Sequence, residues 1–128
     1  VRGDVNKITI GDRVNIQDGA VIHTLYQRSV TEIGNDVSIG HNANVHGAKI
    51  EDKCLIGMGA TVLDHAVVGT GSIVAANSLV LTGTVIEPGS VYAGVPARRV
   101  KGVTPEQVRD IIERTARDYM MYASWYKE

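Results

Sequence analysis

β-branched residues return at every sixth position through most of the chain. Ile10, Ile16 and Ile22 open the series, and after an interruption Ile33, Ile39 and Val45 resume it. One residue is dropped, and Ile50, Ile56, Val62, Val68, Val74, Val80 and Ile86 follow. The fifth place of the hexad is mostly small: Ala20, Ala43, Cys54, Ala60, Ala66, Ser72, Ser78, Thr84 and Ser90. Side chains alternate across a strand, so the fifth residue of one hexad and the first of the next point inward, with one outward residue between them. Gly, Asp and Asn recur at the third and fourth places, as at Gly59, Asp64, Gly71 and Asn77, where a corner needs them. Each hexad is therefore a short strand plus a corner. Three hexads close a triangular coil of about 18 residues, and coils stack at roughly 4.8 Å through parallel ladders. An ordinary amphipathic strand alternates for only about four to eight residues. Here one template runs from Ile10 to Ser90, which predicts a stack of β-coils and not a β-sandwich.

The interruption, Thr24–Glu32 (TLYQRSVTE), adds five residues to one hexad and is expected to bulge from a corner as a loop. After Ser90 the pattern changes. Tyr92–Gly102 reads as an extended link. Thr104-Pro105-Glu106-Gln107 reads as a capping box with Pro at the first helical position. Val108, Ile111, Ile112, Thr115, Tyr119, Tyr122, Ala123 and Tyr126 then recur at helical spacing, with Arg109, Asp110, Glu113, Arg114, Arg117 and Asp118 on the other face. The reading is one domain: β-coils and link over 1–103, and an amphipathic helix over 104–128 packed on them.

Composition narrows this picture. The 128 residues contain no Phe, and four of the six aromatics (Tyr119, Tyr122, Trp125 and Tyr126) fall in the last ten positions. A core without aromatics is narrow and filled by small branched side chains. Lys and Arg number 13 against 14 Asp and Glu, with no basic stripe, so no nucleic-acid partner is expected. No apolar run is long enough to cross a bilayer, so no membrane partner is expected either. The single cysteine, Cys54, excludes an internal disulfide and falls at an inward place. The sequence opens at Val1 without a methionine, so it does not fix the true start, and a cytoplasmic location is the expectation.

The repeat also aims the histidines. His23 and His46 are each second in a hexad, three hexads apart, so they share one wall on successive coils and both point outward. Two imidazoles one coil spacing apart can share a metal ion. His41 is third in its hexad, near a corner of the preceding wall, and is expected to point away from the pair. In a three-fold assembly the His23/His46 wall of one subunit meets the His41 corner of the next, which gives one site per interface. Three neutral imidazoles leave a fourth position on zinc for water, whose pKa falls from about 15.7 to about 7. The alternative is three unrelated surface histidines. His65 falls at a turn with no partner and reads as structural or solvated.

The segments Arg2-Gly3-Asp4, Asn15-Ile16-Gln17-Asp18, His23, Gly40-His41-Asn42-Ala43-Asn44-Val45-His46-Gly47 and Ile56-Gly57-Met58-Gly59-Ala60 resemble the γ-class carbonic anhydrase family. That resemblance covers most of the chain and implies an all-β left-handed parallel β-helix of hexapeptide repeats with a C-terminal α-helix. It implies a homotrimer with Zn²⁺, or Fe²⁺ or Co²⁺, at each interface. His23 and His46 of one subunit and His41 of its neighbour would be the ligands. Gln17 would hydrogen-bond metal-bound water or bicarbonate, and Arg2 and Asp4 would form an intersubunit ion pair that helps position substrate. Asp18 reads as a turn residue. In the family a residue of the C-terminal helix overhangs the site, and Tyr119 has the matching spacing. The implied reaction is reversible hydration of CO₂ to bicarbonate by metal-bound hydroxide.

Two departures stand against that reading. Some active members carry a glutamate on a longer loop after the first histidine, where the only acid here is Glu32, and a further glutamate where this chain has Val5. CO₂ hydration must release a proton each turnover, which such groups carry. Two alternatives therefore stay open: a coenzyme A-dependent acyltransferase, which uses the same β-helix with a histidine base, and a catalytically silent metal-binding or scaffold trimer. The Ala93-Gly94-Val95-Pro96-Ala97 segment occurs in both enzyme groups and does not separate them.

Overall fold

The computed structural model describes residue 1 and residues 6–24 and 29–113. The chain winds as a triangular helix of short strands. The first coil holds β1 (Ile8–Ile10), β2 (Asn15–Ile16) and β3 (Val21–His23). The second holds β4 (Thr31–Ile33), β5 (Ser38–Ile39) and β6 (Asn44–His46), and the third β7 (Lys49–Ile50), β8 (Leu55–Ile56) and β9 (Thr61–Val62). A fourth holds β10 (Val67–Val68), β11 (Ile73–Val74) and β12 (Leu79–Val80), followed by β13 (Val85–Ile86) and β14 (Ser90–Gly94). Equivalent strands of successive coils pair in parallel and form three walls: β1-β4-β7-β10-β13, β2-β5-β8-β11-β14 and β3-β6-β9-β12. This is the architecture that the spacing of six predicts.

The β-branched first places stack in columns inside the triangle. Ile22, Val45, Val62 and Val80 form one; Ile33, Ile50, Val68 and Ile86 form the second; Ile39, Ile56 and Val74 form the third, all essentially without solvent exposure. Ala43, Ala60, Ala66, Ser72, Ser78 and Cys54 fill the space between the columns. Only side chains this small let three walls approach so closely at native packing density. Ile10 departs from the pattern at 39% exposed, and Ile16 is half-buried. They belong to the first described coil, whose strands pair on one side only among the described residues.

Corners have their own rule. The fourth place of the hexad takes positive φ throughout, from Arg13, Asp36, Asn42, Lys53, His65 and Asn77 to Gly59, Gly71, Gly83 and Gly89. In the hexad that lacks one residue, this conformation moves to Gly47. Side chains bridge coils at one corner: Asn35 Oδ1 accepts from Asp12 N at 2.7 Å, and Asp52 Oδ1 accepts from Asn35 N at 2.7 Å.

Two expectations need correction in detail. Tyr92–Gly102 is not an extended link. Val91 and Tyr92 continue the second wall against Ile73 and Val74, and the chain then reverses at Gly94–Ala97 into β15 (Ala97–Gly102), antiparallel to β14. Gly94 at φ 103° supplies a turn geometry that L side chains rarely adopt. Exposed Arg98, Arg99 and Lys101 on this outermost strand discourage pairing with another sheet edge. The tail opens as expected with the capping box: Gln107 N donates to Thr104 Oγ1 at 3.1 Å and Thr104 N to Gln107 Oε1 at 2.9 Å. The first turn, α1 (Pro105–Gln107), then widens into a π-helical turn over Val108–Glu113, where an unbroken α-helix was expected. Ile112 keeps its place on the apolar face and is fully buried, while Arg109 and Asp110 are exposed. Among the described residues, no helix is long and apolar enough to cross a membrane.

Candidate metal centre

The β3–β6 ladder pairs Val21 with Asn44, Ile22 with Val45 and His23 with His46. Ile22 and Val45 are locked in the core, so alternation turns both histidines outward on the same rung. Their ring centroids lie 4.7 Å apart with planes tilted by 40°. His23 Nδ1 is 2.7 Å from His46 Nε2. His46 Nδ1 is 3.0 Å from Asp64 Oδ1. An ionised carboxylate only accepts, so a neutral His46 carries its proton on Nδ1 and its lone pair on Nε2. His23 then donates from Nδ1 to that lone pair, and its Nε2 is an acceptor. That nitrogen is buried with no hydrogen-bond partner.

The donor set fits a divalent ion of the zinc type, which neutral imidazole nitrogens favour. A buried acceptor with no donor, beside a second imidazole whose tautomer is fixed from behind, is an arrangement that a cation completes. Within one chain the set is incomplete. Among the described residues, no three His, Cys, Asp or Glu side chains converge. Cys54 is no candidate, because burial pushes its thiol up to about 12 and keeps it protonated.

His41 lies at the corner after β5, half-buried, on the wall preceding that of the pair. Gln17 lies on the same side one coil earlier: its N–H donates to Ile39 O at 2.9 Å, which sets it on the rung of Gly40. Its Nε2 donates to Asn15 Oδ1 at 3.1 Å, and Asn15 Nδ2 donates to Ser38 Oγ at 2.7 Å. Gln17 and His41 thus keep each other's company, while His23 and His46 occupy another wall. Asp18 is an exposed turn residue whose carbonyl accepts from Asn42 N. His65 is likewise an exposed corner residue, at φ 62°. Arg2, Asp4 and Tyr119 lie outside the described residues.

Sequence reasoning missed the groups behind the pair. Asp64 also accepts from Ser29 Oγ at 2.9 Å. Thr31 Oγ1 donates to His23 O at 2.7 Å and accepts from Gly47 N at 3.0 Å. Ser29 and Thr31 end the inserted loop, so that loop is tied back to both histidine strands. The hexad count held a signal for Asp64. A step of 17 residues leads from Val45 to Val62 in the next coil, so Asp64 stands one place past the position above His46.

Comparison with known proteins agrees with the fold. The family described as bacterial transferase hexapeptide (six repeats) matches residues 30–63 and 47–82. The chain is 57% identical over 117 residues to a protein of Methanocaldococcus jannaschii named probable carbonic anhydrase, covering 91% of this chain and 73% of that one. It is 41% identical to mitochondrial gamma carbonic anhydrase 1 of Arabidopsis thaliana, covering 93% of this chain but 45% of the plant protein, so it spans under half of that relative's length. A crystal structure from Bacillus cereus titled putative acetyltransferase superposes with a TM-score of 0.94 at 37% identity, covering 99% of this chain and 73% of that one. The chain belongs to the γ-class carbonic anhydrase family, on the left-handed β-helix of hexapeptide-repeat proteins.

Proposed function

We propose that this chain hydrates CO₂ reversibly to bicarbonate as a homotrimer. Each site is completed across a subunit interface by His23 and His46 of one protomer and His41 of the next. The observation that carries this is the facing His23–His46 pair, with its buried unpartnered nitrogen and no third ligand beside it among the described residues. His41 at a corner of a different wall suits donation to a neighbouring subunit. The ion is Zn²⁺, with Fe²⁺ and Co²⁺ as alternatives, and when bound it supplies a hydroxide nucleophile near neutral pH.

The chain's own residues do the rest. Gln17 is already oriented by Asn15 and offers its amide to the water or bicarbonate at the interface. Arg2 and Asp4 pair across subunits and fix the substrate's approach, and Tyr119 overhangs the site. Proton removal is the weak point of this chain. Glu32 is exposed on β4, and Val5 stands where some members have a glutamate. Turnover limited by proton release follows.

CO₂ hydration followed at neutral pH by stopped flow tests this reading. The wild type is expected to exceed the uncatalysed rate, and His46→Ala to fall back to it. Equal rates for the two would end the enzymatic claim and leave a metal-binding scaffold. The Bacillus cereus neighbour, described as a putative acetyltransferase, favours a second reading, acyl transfer from acetyl-coenzyme A. Acetyl-coenzyme A consumption by metal-free protein would support it in place of CO₂ hydration.

A further inference from the structure

We infer that Asp64 is the positioning residue of this site. It selects the Nδ1–H tautomer of His46, and through Ser29 it clasps the loop after His23 to the same carboxylate. The inference rests on the metal reading above and adds residues that take no direct part in ligation.

Three observations meet at one point. Asp64 Oδ1 lies 3.0 Å from His46 Nδ1 and 2.9 Å from Ser29 Oγ. Ser29 is buried and Asp64 is largely shielded, with its side chain 16% exposed, so water competes poorly for the carboxylate. Gly47, next to His46, makes the room: a Cβ there would collide with both Asp64 Oδ1 and Ser29 Oγ. Gly47 is also where the shortened hexad moves its positive-φ corner. The dropped residue, the glycine and the inserted loop are therefore parts of one arrangement behind His46.

The chemistry is directional. Free neutral histidine exchanges its proton between two nitrogens, and only the one without a proton can bind a metal. With Nδ1–H committed to Asp64, Nε2 keeps its lone pair on the side that faces His23, where a metal would take the place of the hydrogen bond from His23 Nδ1. Ser29 Oγ donates to the same Oδ1 that faces His46 Nδ1, so movement at the loop's end is felt at His46. Removing such a partner costs about 10–100-fold in metal affinity.

The test uses full-length protein with ¹⁵N-labelled histidine, stripped of metal. Long-range ¹H–¹⁵N correlation reads which nitrogen of His46 is protonated, and competition with a chromogenic chelator reads Zn²⁺ affinity. Wild type should show Nδ1–H. Asp64→Ala should mix the tautomers and weaken Zn²⁺ binding by about 10–100-fold, and Ser29→Ala should weaken it less with the tautomer kept. A wild-type His46 protonated at Nε2, or Asp64→Ala with unchanged tautomer and affinity, overturns the inference. The wild-type spectrum decides the tautomer even if Asp64→Ala does not fold. It also needs no metal, so a wild type that shows Nδ1–H but binds no Zn²⁺ defeats the metal reading alone.

Discussion

His23 and His46 occupy a single rung of a parallel ladder, with Nδ1 of the first 2.7 Å from Nε2 of the second. Parallel strands in register bring chemically equivalent positions of two coils to about 4.8 Å. Residues 23 positions apart in sequence thus become neighbours without any loop to place them. The site inherits the stiffness of the stack beneath it, where Ile22 and Val45 are fully buried.

That room behind His46 is set by one missing methyl. Gly47→Ala is expected to pay about 1–2 kcal/mol for its left-handed backbone and also to push Asp64 off His46. Gly71→Ala is the control, since Gly71 has φ 73° but nothing within 4 Å of its added Cβ. Both variants should melt earlier than wild type, and only Gly47→Ala should lose Zn²⁺ affinity in a chelator competition. Equal Zn²⁺ affinity for the two would detach Gly47 from the site.

Core columns differ in what they bury. Ile56, fully buried in the middle of the stack, should cost about 2–5 kcal/mol as Ile56→Ala. Ile10, 39% exposed, should cost clearly less on the same change. Denaturant unfolding at one fixed protein concentration compares them, because assembly makes stability concentration-dependent.

Cys54 should be inert in the folded protein and should mark the alkaline limit of stability. Its Sγ–H donates to Gly69 O at 3.2 Å, and burial raises its pKa from 9.0 to about 12. The unfolded thiol ionises near 9 while the folded one does not. The contribution of the neutral buried thiol is therefore whole below pH 9 and is lost as pH climbs toward 12. Native protein should resist a thiol reagent that labels unfolded protein at once. Between about pH 8 and about pH 10.5, wild type should lose more stability than Cys54→Ala.

The spacing of six made the three walls, the inward columns and the direction of His23 and His46 legible, because each follows from strand alternation repeated many times. It also set His41 near a corner of the preceding wall, away from the pair. The hairpin β14–β15 was not legible, because Gly94 and the Val95–Pro96 turn depend on chain reversal and not on period. Neither was Asp64. The count sets it one place past the position above His46, but as one Asp among several turn residues it shows its role only when the corner above His46 is seen to be opened by Gly47.

Metal content per chain, measured together with solution mass, tests the interface site most directly. One bound ion per chain in a particle of three chains, with the ion lost in His23→Ala, His41→Ala and His46→Ala alike, is the expected result. A single-chain particle that still binds the ion, or a trimer whose metal content ignores His41→Ala, would contradict it.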